Sequence, residues 1–198
     1  MEFRCVIRTL HEFSHVPQGS LKTIKPNNMQ KFILLRGHEG SGKSTFAAQQ
    51  IAQFQRDYPH AHIVHLDNDH ALTDEHGNYH FDFEQFSAAH KINQIRQAEA
   101  FALGKREPQR DILIINANPN QKAKTCYALI ELAKAHGFVV EIYRLHNFFP
   151  NIHQVAEEDV LRGYARLNAN PVDGEIHLPA VREMSAAQWA ALAQLDTK

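Results

Sequence analysis

Residues Gly37 to Ser44 read G-H-E-G-S-G-K-S and complete the pattern G-x-x-x-x-G-K-[ST]. Few short patterns restrict a fold so strongly, because each position has its own physical task. Gly37, Gly40 and Gly42 leave backbone N–H groups free to curve around phosphate oxygens. Lys43 is placed to reach the outer phosphates of a nucleoside triphosphate, and the Ser44 hydroxyl to meet Mg²⁺. His38, Glu39, Ser41 and Thr45 lie in or against the loop and count with it as candidate nucleotide contacts. A helix starting near Lys43 would turn its positive end toward the same phosphates.

The flanking sequence supplies the context this loop needs. Lys31–Arg36 is a short apolar run suited to a buried parallel strand. Thr45–Phe54 is helical in pattern, with Ala47, Ile51 and Phe54 on one face. Three further strand candidates follow, at 62–67, 111–116 and 138–144. Between them, Glu84–Leu103 reads as a helix with Ile92, Ile95 and Ala102 at helical spacing, ended by Gly104. Asn120–His136 reads as another, with Cys126, Ile130 and Ala133 on one face and Gly137 as its stop. Alternation of this kind predicts an α/β fold of three layers, with a parallel sheet of four to five strands. A helix over 151–168 would form a lid around 150–170.

A length of 198 residues suits one domain, or one with a small appendage. The expected division is an extension over 1–28, either an added strand and arm or a start upstream of the true one, and a domain over 29–198. A formal net charge of -1 gives no global positive field, so a nucleic-acid partner would need a local basic patch. Two cysteines without a spacing motif suit a reduced, cytoplasmic protein. No apolar stretch approaches the roughly 20 residues that cross a bilayer. Glu2, Arg4, Arg8 and Glu12 interrupt any signal-peptide core.

In a parallel sheet of this kind ligands gather at the carboxyl ends of the strands. Asp67 and Asp69 stand at the second such end and, two residues apart in extended chain, point the same way. Phosphoryl transfer needs a carboxylate to address the acceptor hydroxyl and oxygen ligands around Mg²⁺. Asp69 is the candidate for the first task and Asp67, with Ser44, for the second. The alternative is that Asp67 caps a turn and Asp69 caps the following helix. Arg162 and Arg166, at i and i+4, share a helix face and suit a lid that neutralises transferring charge. They would otherwise form a solvated face paired with Glu158 or Asp159. Arg182 is a weaker candidate. His60, His62, His65 and His70 cluster around the second strand without any zinc spacing. The aromatic segment 77–83 suits either stacking on a ring or ordinary packing.

Taken together, these residues resemble the P-loop kinases, of AAA type, that include phage-type polynucleotide 5′-hydroxyl kinase and its single-domain relatives. The resemblance runs from about Met29 to about Met184. It is carried by G-H-E-G-S-G-K-S-T at 37–45, L-D-N-D at 66–69, N-Y-H-F…A-A-H at 78–90, I-I-N-A-N at 114–118 and R-x-x-x-R-x-N at 162–168. It implies ATP and Mg²⁺ as cofactors, with Lys43 and Ser44 as phosphate and metal ligands. It makes Asp69 the base toward the acceptor and Arg162 or Arg166 the lid arginine. Asn116 and Ala117 stand where the family carries acidic or hydroxyl residues, and Ala71 and Leu72 where it carries an arginine for acceptor phosphate. The implied partner is a polynucleotide 5′-hydroxyl. A toxin-like, zeta-type kinase of a nucleotide sugar or other small molecule, and a nucleotide-binding protein without transfer, are the alternatives.

Overall fold

The computed structural model describes residues 28–72, 82–150 and 155–195. Residues 1–27 of the extension expected over 1–28, most of the aromatic segment 77–83, the side chain of His70 and the start of the helix expected from 151 lie outside the described residues. Along the chain run β1 (Gln30–Arg36), α1 (Lys43–Asp57), β2 (His62–Leu66), a 3₁₀ turn (Asp69–Leu72), α2 (Phe83–Arg106) and β3 (Ile112–Asn116). Then come α3 (Ala123–Ala135), β4 (Val139–Arg144), α4 (Glu157–Asn168), β5 (Ile176–His177) and α5 (Ala186–Leu195). The five strands among the described residues form one sheet in the order β2-β3-β1-β4-β5. Every pairing is parallel.

Three layers follow from the alternation of side chains along β1. Phe32 and Leu34 point to one face and Ile33 and Leu35 to the other, and all four are buried. The first face, with Ile112 and Ile114, packs against Ala100 and Phe101 of α2 and Cys126, Ile130 and Ala133 of α3. The second, with Leu113 and Ile115, packs against Ala47 and Phe54 of α1. Strands buried on both faces read as continuous apolar runs, as β3 does. A separate small core joins α4 to α5 through Val160, Leu161, Met184 and Leu192, with Phe148. No helix among the described residues is long and apolar enough to cross a membrane.

Three expectations are corrected. Ile92 and Ile95 of α2 are 57% and 58% exposed. The buried face of α2 is Ala89, Asn93, Gln97, Ala100, Phe101 and Gly104, two of them amides held by hydrogen bonds to strand-end residues. Gly104 does not end α2, which continues to Arg106. A Cβ there would lie 2.6 Å from the ring of Phe138 and 2.7 Å from Gln30 Oε1, so the glycine makes room for a close approach. The helices after β3 and β4 begin later than expected, at Ala123 and Glu157. Gly137 does terminate α3, in the left-handed conformation at φ 84°. The added fifth strand, β5, has only two residues, too short for a hydropathy pattern to show.

Candidate functional site

The order of the sheet decides which loops meet. β1 lies between β3 and β4, so the segments leaving the ends of all three strands converge. Gly37 N–H donates to Pro119 O (3.3 Å), Leu145 N–H to Arg36 O (2.9 Å) and Phe149 N–H to Gly40 O (2.9 Å). The loop Gly37–Ser44 is thereby held from both sides. Gly40 and Gly42 have φ of 75° and 92°, in the region that favours glycine. Gly37 is needed for a different reason: a Cβ would fall 2.3 Å from Ser41 Oγ.

Glu39, Gly40, Gly42, Lys43, Ser44 and Thr45 line a cavity of about 210 Å³ together with Asp67, Asp69, Ala117, Phe149 and Pro150. Both aspartates, brought by the end of β2, therefore face the loop. The Asp69 N–H donates to Asp67 Oδ1 (3.0 Å), which fixes the turn between them. Ser44 Oγ donates to Asp67 Oδ2 at 3.5 Å. A hydroxyl and a carboxylate at that separation form a pair of hard oxygen donors that fits Mg²⁺. Lys43 Nζ donates to the His38 carbonyl (2.9 Å). Crowding by protein atoms pushes its pKa below the usual lysine range, while Glu39, Asp69 and Asp67, in that order, oppose the shift.

His38 sits beneath the loop, fully buried. Its ring lies 4.3 Å from that of Phe148 and edge-on to Tyr164 at 5.5 Å. Neither ring nitrogen meets a hydrogen-bond partner among the described residues. Burial first, then the charges of Lys43 and Arg144, push its pKa down to about 3, with the Asn147 backbone opposing. Arg36 and Arg144, opposite each other in the β1–β4 register, are also buried. Arg36 binds Glu175 (2.5 Å), Asn170 O (2.6 Å) and Asn120 O (3.0 Å), and Arg144 binds Asn168 Oδ1 (3.0 Å). Burial, then Arg36, lowers the Arg144 pKa to about 10. This clasp ties the chain beyond α4 to the strands that carry the loop.

α4 lies against the loop through Gly163, where a Cβ would lie 3.4 Å from Glu39 Oε2 and 3.5 Å from His38 Cβ. Of the two candidate lid arginines on α4, Arg162 is ion-paired with Glu158 on the exposed side. Arg166 donates to Gln121 Oε1 (3.2 Å), in the segment following β3. Arg182 meets the site through its backbone, its N–H donating to Asn147 Oδ1 (3.2 Å) and its carbonyl accepting from Phe148 N–H (2.9 Å).

Several site residues escape sequence reading. Asn147 braces the loop by donating to Ser41 O (3.1 Å) and accepting from Val181 N–H (2.7 Å). The aromatic Phe149 covers Gly42. Only their position after a strand end marks these residues in advance. Asn116 does not line the cavity beside Lys43. It faces away, toward Gln97, to which its amide donates at 3.2 Å.

A parallel sheet of this order, with a glycine-rich loop leading from the central strand into a helix, defines a P-loop α/β protein. The chain is 39% identical over 170 residues to Uncharacterized protein PM0531 of Pasteurella multocida (strain Pm70), a match spanning 86% of this chain and 94% of that protein. It belongs to the same family. No family model matches the chain. Among solved structures, Kti12 of Chaetomium thermophilum in complex with ADP-AlF3 is similar at a TM-score of 0.47 and 15% identity, over 84% of this chain and 97% of that one. APS kinase CysC of Mycobacterium tuberculosis is similar at 0.45 and 12%, over 85% and 96%. A structure of the PezAT toxin-antitoxin system of Streptococcus pneumoniae is similar at 0.45 and 14%, over 85% and 84%.

Proposed function

We propose that this protein is a phosphotransferase that binds ATP at Gly37–Thr45 and passes the γ-phosphate to a hydroxyl acceptor. One observation carries the reading. Lys43, Ser44, Asp67 and Asp69 line a single cavity at the N-terminus of α1, so donor-binding and acceptor-addressing groups share one space. Backbone N–H groups of the loop and the positive end of α1 suit phosphate oxygens. Ser44 and Asp67 would hold Mg²⁺, which draws charge from the phosphate oxygens. In the step itself, the acceptor oxygen forms a bond to the γ-phosphorus while the bond to the β,γ-bridging oxygen breaks. ADP leaves with that oxygen, and the acceptor proton passes to the Asp69 carboxylate. Arg162 or Arg166, on the lid helix α4, would neutralise charge on the group in flight.

A polynucleotide 5′-hydroxyl acceptor is the second reading, favoured by the L-D-N-D sequence at 66–69. Binding without transfer draws its support from Asn116 standing in place of an acidic residue. That support is weakened because Asn116 faces the amides of α2, and the carboxylate near Ser44 comes from Asp67 instead.

The test is transfer of label from γ-labelled ATP with Mg²⁺ to a panel of hydroxyl compounds. Lys43→Ala should lower transfer about a thousandfold, and Asp69→Asn should do so while ATP still binds. Tight ATP binding with no transfer, and no effect of Asp69→Asn, would sink the reading.

A further inference from the structure

A second cavity, of about 320 Å³, opens between α2 and α3 beside the ends of β2 and β3. Its size falls in the range of small-molecule sites. Its polar wall is built of carboxamides, chiefly Asn68, Asn93, Gln97, Asn116 and Asn118. Among the described residues no lysine, arginine, aspartate or glutamate lines it. Four of these amides are more than nine-tenths buried: Asn68 at 5%, Gln97 and Asn116 at 7%, and Asn93 at 8%. Amides buried to this degree are tolerated only when hydrogen-bonded, and here their bonds run in one direction.

The direction is set by Arg96, whose guanidinium can only donate. It donates to Asn93 Oδ1 (3.1 Å), so the Asn93 amino group faces Asn68 Oδ1 (2.9 Å). The Asn68 amino group then faces His90 Nδ1 (3.2 Å), which must accept. The Gln94 amino group lies 3.1 Å from the other ring nitrogen, His90 Nε2. A second chain meets the first. Asn116 Oδ1 accepts from Asn118 N–H and from the amino groups of Asn118 and Asn120, and Asn118 Oδ1 accepts from Asn68 N–H. The wall is thus a fixed array of oriented, uncharged dipoles.

Such a wall suits hydroxyl groups and ring nitrogens, which present neutral donors and acceptors. A phosphate placed there would be desolvated with no cation to compensate it. Leu66, Phe86 and Leu129 add apolar surface for the face of a ring. The two cavities abut. Asp67 and Asp69 line the phosphate side while Asn68, between them, lines this one. Ala117 lines the phosphate side while Asn116 and Asn118 line this one.

We propose that the amide cavity is the acceptor site and takes an uncharged, hydroxyl-bearing ring compound of nucleoside or monosaccharide size, without a phosphate of its own. The proposal rests on the phosphotransfer reading and narrows it. The test is nuclear magnetic resonance of side-chain amide groups in the protein saturated with a non-hydrolysable ATP analogue. Adenosine, cytidine, ribose and glucose are titrated, then adenosine 5′-monophosphate, glucose 6-phosphate and a 5′-hydroxyl oligonucleotide. At least one neutral compound should shift the Asn68, Asn93 and Asn116 signals, and its phosphorylated counterpart should bind at least tenfold more weakly. Whether a nucleoside or a sugar does so separates the two sources of that chemistry. Gln94→Glu, at the exposed mouth, should raise the Kd of the neutral compound at least tenfold. Shifts caused only by phosphorylated compounds or the oligonucleotide, shifts by none of the panel, or no effect of Gln94→Glu would overturn the proposal. Failure of the ATP analogue to bind would instead overturn the phosphotransfer reading.

Discussion

His38 is a histidine that the fold keeps neutral. Its folded pKa of about 3 lies below the ordinary 6.5, so the unfolded chain takes up a proton that the folded chain refuses. Stability from this group is complete above about pH 6.5 and falls as the pH drops toward 3. The slope is about 1.4 kcal/mol per pH unit at most. His38→Phe keeps a ring between Phe148 and Tyr164 but removes the titration. Denaturation curves at pH 7.5, 5.5 and 4.5 should show a shallower loss of stability for the variant than for the parent. A parallel loss in both would disprove the assignment. The sequence shows His38 only as a variable position of the loop. Its burial depends on Phe148, after β4, and Tyr164, in α4, more than a hundred residues away in the chain. Lys43 and Ser44, by contrast, are legible because their task is fixed by neighbours within a few residues.

At the scale of elements, α2 is the instructive case. Its apolar residues Ile92 and Ile95 have helical spacing, which is real, but the face that is buried was chosen by its partners. Asn93 and Gln97 must reach the amides at the ends of β2 and β3, and Gly104 must pass under Phe138. Periodicity of hydrophobicity reports neither need. α1 and α3 are simpler, since their buried residues join the apolar clusters on the two faces of the sheet, and their faces are readable from spacing. Gly104→Ala should test the point. Helix propensity alone would favour alanine by about 1 kcal/mol. Phe138 is held edge-on against Phe101 at 5.2 Å and cannot withdraw freely, so overpacking should win. A net destabilisation of about 1–2 kcal/mol in urea denaturation is expected.

For the whole molecule, the sheet order makes the loop a junction of β1, β3 and β4 rather than an appendage. Filling it with nucleotide should therefore be felt throughout the fold. At a hundredfold excess over Kd, ATP with Mg²⁺ should stabilise the protein by about 2.7 kcal/mol. For a chain of this size that raises Tm by roughly 5–10 °C. Lys43→Ala should abolish the shift, as measured by calorimetry. The four long strands, the alternation and the strand-end rule were open to sequence reading because they rest on local patterns. The Arg36–Glu175 clasp and the amide cavity were not, since each joins residues that only the folded topology brings together.

The turn Asp67-Asn68-Asp69 alternates between two cavities, carboxylates toward one and a carboxamide toward the other. Its length is consequently more constrained than its composition. Deleting or adding a single residue there would transpose charge and amide between the two chambers without altering the inventory of side chains. A library that varies this turn by length should lose function more uniformly than one that varies it by substitution.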